Sequence, residues 1–477
     1  MPQNRQVYLL DPQNLTPETI AVTFAKTSRS PQTFREIAAE LNQEKSSEFH
    51  EKWVVGYGHS SVAEHAVLHI AVENISRLAV ECLESNRLAS YTEKSTRYQK
   101  WDCDSFYIPE ELTDPTLRQI YIETNQNLFL TYQKSLPIIQ AEISKNHPRR
   151  SEESDAAWER RLRSHYVDVS RFLLPASALA NVGVTINARA LEHALRKMLT
   201  HPLAEVRRTG EEIKAVSLEN VPTLVKYANP VPHWQQVETL FKQQGTDLPP
   251  ADPADDWCQL VDHDPNAELR VIAALLYRTG ESSYDRIWAY LQTCSEEQVS
   301  EMAQQVMADI SKFDIPMREL EYATYTFDLV MDQGAYFEIK RHRMMTQTPQ
   351  KLTTLLGYAL PKTIVDAGFE QEYHQAMRAA HQAYLRLVEF DPQIAAYIVP
   401  NGYNRRLLLR ANTRSLDHLI ALRSAPNAHF SVRRLAHRMA SEIIQVSPLG
   451  KFWIRDSIDE NWQQVEESYF TCTNCQP

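Results

Sequence analysis

The chain repeats itself, and this limits it to folds that can be built twice in one polypeptide. Asn187-Ala-Arg189-Ala-Leu191-Glu-His193 recurs as Asn412-Thr-Arg414-Ser-Leu416-Asp-His418. Leu-Leu-Pro175 lies twelve residues before the first copy, and Ile-Val-Pro400 lies twelve before the second. A weaker echo links residues 19–30 to residues 270–280. Three matches in the same order, more than 200 residues apart, describe a duplicated domain and not a solenoid. A length of 477 residues accommodates two such domains, each with its own core. Between them, Pro230, Pro232, Pro249, Pro250 and Pro253 fall among polar and acidic residues with little periodicity. The expected organisation is a first domain over 1–229, a linker over 230–256 and a second domain over 257–477. The distance from Arg343 to Arg414 is shorter than that from Arg87 to Arg189, so one copy has lost or gained a segment in its middle.

A net charge of −11 argues against general nucleic-acid binding, which needs a basic footprint. Any phosphate site must be a local arginine cluster. No run approaches 18 apolar residues, so no membrane span is expected, and the first residues carry no apolar signal core. A cytoplasmic protein is the expectation. Six cysteines do not make a disulfide scaffold, and Cys472-Thr-Asn-Cys475 has no second pair. No metal site is expected, and these two cysteines read as ordinary free thiols.

Residues 16–39 read as helical, with Pro17 in the first turn. Ala66, Leu68, Ile70 and Val72 alternate as in a strand, and a helix runs on to about Glu84. Arg87 to Tyr98 reads as a polar loop, 117–141 as a long helix and 147–164 as a charged, exposed insertion. Leu191, Ala194, Leu195, Met198 and Leu199 form a helical stripe. The second half repeats the strand at 322–330 and the helix before Arg341. The Arg87–Tyr98 stretch fits a phosphorylated ligand, because guanidinium groups pair with phosphate oxygens and hydroxyls fill the remaining lone pairs. It equally fits a solvated turn with surface ion pairs. In Asn187-x-Arg189-x-x-x-His193, Arg189 and His193 share a helix face and Asn187 sits where a cap would. That segment is either a capping asparagine with an exposed arginine or part of a ligand site.

Arg87-Leu-Ala-Ser-Tyr-Thr-Glu93-Lys-Ser95-Thr-Arg97-Tyr98 resembles the signature of the flavin-dependent thymidylate synthases, in which Arg-His-Arg precedes Ala-Ser and a Ser-x-Arg-Tyr ending. Gly58-His59-Ser60-Ser61-Val62-Ala63-Glu64-His65 resembles that family's Gly-His-x-Ser-x-x-Glu-His segment. The intact triplet stands in the second half, at Arg341-His342-Arg343, whereas the first half has Ser85-Asn86-Arg87. The resemblance implies an α+β fold in two tandem copies, each a twisted mixed sheet flanked by helices. It implies reductive methylation of a uracil nucleotide (dUMP to dTMP) with FAD as cofactor and methylenetetrahydrofolate and NADPH as co-substrates. The flavin contacts it implies are His59, Ser61, Arg87, Asn187, Arg189 and His193, with Arg341, His342, Arg343, Asn412, Arg414 and His418 from the second half. It assigns Ser95, Arg97, Arg171, Arg341 and Arg423 to the nucleotide. Arg423 would sit where anionic charge develops on the uracil, and Glu93 would orient the ribose or a base-facing arginine.

The copies depart from the family in complementary ways. The first keeps Glu93, Ser95, Arg97 and Arg171, where the second has Ala396 against Arg171. The second keeps Arg341, His342, Arg343 and Arg423, where the first has Met198 against Arg423. Because the family builds its sites between subunits of a homotetramer, the resemblance implies a homodimer acting as a pseudo-tetramer, with working sites composed from both halves. A family glutamine is replaced by Cys82 and Glu338. A carboxylate near phosphate is unfavourable unless turned away or paired. Two other readings stay open: a flavoenzyme acting on a different pyrimidine nucleotide, and a non-catalytic nucleotide- or flavin-binding protein.

Overall fold

The computed structural model describes residues 6–10, 12, 14–27, 30–51, 60–97, 99–245, 248–249, 256–311, 314–457 and 459–477. It is a mixed helix and sheet protein that divides into two compact units. One comprises Met1–Lys94, Tyr107–Thr113 and Ala178–Pro250; the other comprises Ser95–Phe106, Asp114–Ser177 and Ala251–Pro477.

In unit one, β1 (Val67–Ser76), β2 (Ala89–Glu93) and β3 (Leu179–Asn187) form an antiparallel sheet in the order β1-β3-β2. Ala180, Val182, Val184 and Ile186 are buried while Asn181 and Gly183 face out, so β3 has the period-two pattern of a half-covered strand. Helix Ala188–Thr200 follows with the expected stripe inward: Leu191, Ala194, Leu195, Met198 and Leu199 are all buried. Helix Arg77–Leu83 is capped by Ser76, whose hydroxyl accepts from Ala79 N at 2.9 Å and donates to Glu205 at 2.6 Å.

In unit two, β4 (Cys258–His263), β5 (Thr324–Asp332), β6 (Thr346–Pro349) and β8 (Asn404–Asn412) make a sheet in the order β4-β5-β8-β6, while β7 (Tyr358–Pro361) pairs with β9 (Phe470–Cys475). Phe327, Leu329, Leu407 and Leu409 pack inward against Leu435 and Met439 of helix Phe430–Val446. Helix Gln333–Ile339 is capped by Asp332, whose carboxylate accepts from Ala335 N at 2.9 Å and has Ser431 beside it. The serine and the acid have thus exchanged sides between the copies. In the first, serine caps and Glu205 of helix Ala204–Leu218 supports it; in the second, aspartate caps and the serine stands on helix Phe430–Val446.

The elements recur in order: β1, helix, β2, β3 and two helices match β5, helix, β6, β8 and two helices. The extra length of the first copy lies in helices Pro115–Asn146 and Asp155–Ser170, against Glu370–Phe390 and Pro392–Ala395 in the second.

Several local expectations are corrected. The 87–98 stretch contains strand β2. Residues 155–164 of the charged stretch belong to helix Asp155–Ser170, in which Leu162 is buried, as are Tyr166, Val167 and Val169 beyond the stretch; the rest of 147–164 is exposed or half-buried. The 16–39 helix is two, Pro17–Thr27 and Phe34–Glu40, parted at Pro31, because proline disfavours helix for the residue before it. The 230–256 stretch carries helix Pro232–Gln244, with no buried residue. Cys472 and Cys475 are not free thiols but a disulfide pair. Among the described residues, no helix is long and apolar enough to cross a membrane.

Candidate active site

The two Leu-Leu-Pro-like segments meet in unit two. Pro175 and Pro400 form an antiparallel bridge. Ala176 N donates to Val399 O at 3.0 Å, Asn401 N to Leu174 O at 2.9 Å and Gly402 N to Phe172 O at 2.8 Å. This junction fixes the short 3-10 turn Arg171–Leu173, and the Asn401 side chain donates to Arg171 O at 3.1 Å. Arg171, from the first half of the sequence, is thereby held against helix Gln333–Ile339 of the second.

The result is a buried cluster of opposed charges. Glu338 accepts from Arg423 at 2.6 Å and from Arg171 at 3.4 Å, and its main-chain oxygen accepts from Arg423 at 3.2 Å. Arg423 Nε also donates to His342 Nε2 at 3.0 Å, and the His418 ring stands edge-on to His342. Arg171 donates to Thr96 Oγ1 at 3.4 Å. Beside it, Arg97 grips Asp168 with both Nε and Nη2, at 2.7 to 3.1 Å, and reaches Asn427 O at 3.3 Å. Ser95 closes the turn by accepting from Arg97 N at 3.2 Å.

Burial would raise the Glu338 carboxyl, but Arg171, Arg423, Arg97 and Arg341 outweigh it and hold the carboxyl below its usual range. Asp168 is pushed up by burial despite Arg171 and Arg97. His342 is pushed down to about 3 by burial, with Arg423 and His418 adding to the effect, so it is a neutral acceptor for Arg423. His429 is driven well below its ordinary value by burial and then by Arg171 and Arg97. Its Nδ1 accepts from Ser431 N, so its Nε2–H donates to Asp168 O at 3.2 Å. Four guanidinium groups (Arg97, Arg171, Arg341, Arg423) against two carboxylates leave a surplus of two positive charges. That surplus suits a phosphate dianion.

The neutral state of His342 carries a pH consequence. Below the ordinary 6.5 the unfolded chain takes up a proton that the native site refuses until about 3. Stability therefore falls as pH drops through that window and is level above it, by about 1 kcal/mol for this group between pH 6.5 and 5.5. Urea unfolding at pH 7.5 and 5.5 checks this, and His342→Asn, the residue the first copy has as Asn86, is expected to flatten the slope.

The other residues singled out from the sequence fall as follows. Glu93 lies in unit one, its carboxylate 2.8 Å from Arg77, both side chains almost wholly buried. Asn187 and Asn412 are both helix caps, accepting from Ala190 N and Ser415 N at 2.9 Å. Arg189 is bonded to Glu64, and Arg414 to Glu321 at 2.7 Å, so this pair recurs in each copy. His193 stands edge-on to Trp234. Arg87 and Asn187 line an open groove of about 380 Å³ with Glu64, Ser90 and Thr185. In unit two a cavity of about 500 Å³ opens beside Glu321 and Tyr322. Ser61 is exposed, as are Arg87 and Arg341, and Arg343 is half-buried. His59 lies outside the described residues. Asp168, Thr96 and His429 were not foreseen. Asp168 lies three residues before Arg171, one helical turn away, and this was the available signal.

The Thy1 family model, thymidylate synthase complementing protein, matches residues 10–223 and 259–449. A UPF0159 protein of Chlamydia muridarum is 31% identical over 436 residues, covering 87% of this chain and 82% of that protein. A flavin-dependent thymidylate synthase of Clostridium tetani is 30% identical over 217 residues, covering 45% of this chain and 83% of that protein. Among solved structures, the chain is similar to the flavin-dependent thymidylate synthase ThyX from Helicobacter pylori complexed with FAD and dUMP. That match has 18% identity and a TM-score of 0.30, and covers 42% of this chain and all of the other.

Proposed function

Because the chain belongs to the thymidylate synthase complementing protein family, we propose that it is a flavin-dependent enzyme that methylates a uracil nucleotide at C5, converting dUMP to dTMP. The observation that carries this reading is the cluster in unit two. Arg97 and Arg171 from the first half meet His342 and Arg423 from the second within one chain, with charge to match a nucleotide phosphate. Glu338, foreseen as unfavourable beside phosphate, is paired with two arginines. In this role Arg97 and Arg171 bind the phosphate. Asp168 and Glu338 orient the guanidinium groups in advance, so that no reorganisation is needed when charge arrives. Arg423, held from behind by Glu338 and His342, stabilises the negative charge that develops on the pyrimidine.

The donor chemistry around the recurring Asn-x-Arg segments fits a flavin: an arginine, hydroxyls and a helix start meet in the groove beside Arg87 and Asn187. Arg87, Asn187 and Arg189 would hold it in that groove, and Arg343, Asn412 and Arg414 are their counterparts in the second copy. Bound FAD supplies the reducing equivalents, drawn from NADPH, while methylenetetrahydrofolate supplies the carbon. The replacement of glutamine by Glu338 favours a second reading, in which the nucleotide is a different pyrimidine monophosphate.

The test is to add FAD to the purified protein, remove the excess and record the visible spectrum. Turnover of dUMP and UMP with methylenetetrahydrofolate and NADPH is then followed. About one flavin per chain and dTMP formation are expected, and this stoichiometry corresponds to one working site per chain. Faster turnover of UMP would support the second reading. A folded protein that retains no flavin would overturn the proposal.

A further inference from the structure

Strand β9 lies beyond residue 449, where the family match ends, yet it is tied to the cluster just described. It pairs with β7 through Cys475 opposite Tyr358 and Cys472 opposite Leu360. Gly357 makes this close approach possible. It has φ +67°, and an added Cβ would collide with Asn474 and approach Cys475 O to 2.9 Å. Asn404, at the start of β8, donates to both Leu356 O and Thr473 O at 3.0 Å.

Within this strand Cys472 and Cys475 form a disulfide, their Cα atoms 5.8 Å apart. The other four cysteines, Cys82, Cys103, Cys258 and Cys294, are thiols outside any disulfide. A cross-link closing a loop this short restricts the unfolded chain far less than one across a long loop, so stabilisation is a weak account of it. Both cysteines are half-buried at the surface, within reach of a thiol reagent.

The strand also leads into the charge cluster. Tyr469 and Phe470 pack on Phe430, with ring centroids 5.1 and 5.2 Å apart. Phe430 stacks on His429 at 4.2 Å, and His429 donates to Asp168 O, whose side chain holds Arg97. A continuous row of packed rings thus runs from the cysteine strand to the residue that orients Arg97.

We propose that Cys472 and Cys475 are a redox site, a reversible dithiol–disulfide couple acted on by dithiol reductants, whose state sets the order of β9 and, through Phe430 and His429, of the arginine cluster. In reduction, one thiolate of a dithiol attacks a sulfur of the Cys472–Cys475 bond. The resulting mixed disulfide is resolved by the reagent's second thiol. The protein gains two electrons and two protons, and the reagent leaves as its own disulfide. Oxidation runs the same exchange in reverse with a disulfide donor. The link to the cluster rests on the reading of that cluster as an anion site; the redox step itself does not.

The test equilibrates the full chain in dithiothreitol buffers of graded redox ratio, alkylates it and maps the labels by mass spectrometry. In parallel, backbone hydrogen exchange and dUMP binding are measured on the oxidised and reduced chains. Paired loss of label on Cys472 and Cys475 as the buffer becomes oxidising is expected. On reduction, exchange over 470–475 and 429–431 is expected to quicken by about tenfold, with weaker dUMP binding. Cys472→Ser should behave as the reduced chain does; if that variant does not fold, the reduced wild type gives the same reading. Independent or constant labelling of the two cysteines would overturn the couple. Equal exchange at 429–431 in both states would overturn the link to the cluster. A chain that shows the exchange change and yet binds no dUMP in either state would refute the nucleotide reading and leave the redox site standing.

Discussion

Arg423→Met is expected to lower nucleotide affinity by at least about a hundredfold, the scale for a lost charge-assisted contact, and to destabilise the protein by about 3–5 kcal/mol. The two effects have different origins. Affinity falls because, on the proposed reading, the guanidinium that would face the pyrimidine is gone. Stability falls because Glu338 is buried and loses its closer hydrogen-bonded partner, keeping Arg171 at 3.4 Å and the more distant charges of Arg97 and Arg341. An unpaired charge in a low-dielectric site is far more harmful than the absence of both charges. Adding Glu338→Gln to the same chain is therefore expected to restore most of the stability, measured by urea unfolding, but not the affinity, measured by calorimetry with dUMP. Unchanged stability in the single variant would contradict the account of the ion pair. Unchanged affinity would remove Arg423 from the site.

Glu93→Ala is expected to destabilise unit one by a similar ~3–5 kcal/mol, because Arg77 is 2% exposed and loses the carboxylate beside it. Glu93→Gln keeps an acceptor and should fall between the two. This pair belongs to the first copy alone: the matching positions in the second are Gln333 and Pro349. The experiment also separates two roles for Glu93. Were it an orienter of ribose, turnover would fall in a protein of native stability. A structural anchor shows the reverse, with lost stability and near-normal turnover in the surviving folded fraction. Urea midpoints together with kcat at saturating dUMP decide between them.

The repeat was legible because short polar motifs at fixed spacing survive divergence, and it led directly to the paired strands and helices. The stripe from Leu191 to Leu199 was legible for a related reason: one helix packs one face, and its period is local. Strand β2 was not, because Ala89 to Glu93 packs only part of its surface and offers no clear apolar alternation. Helix Asp155–Ser170 was hidden by charges on its exposed faces, although Leu162, Tyr166 and Val169 mark a buried side. At the site, the arginines could be named one by one, but their partners could not. That Arg171 answers Glu338 depends on the crossing of residues 171–177 with 397–402, a contact between segments more than 200 residues apart. The composite character of the cluster could be argued from complementary losses; the role of Glu338 as a paired anion required the fold.

The exchanged serine and acid at the two helix starts have a consequence for how the halves can change. Ser76 works because Glu205 faces it, and Asp332 works with Ser431 beside it. Copying the first helix start into the second half would place serine against serine and leave no acid there; copying in the other direction would set aspartate against glutamate. Gene conversion between the halves, the ordinary process that keeps tandem copies alike, would therefore yield a damaged protein unless both positions moved together. The duplication acts as a ratchet: each half is free to diverge further, and neither can be overwritten by the other one position at a time.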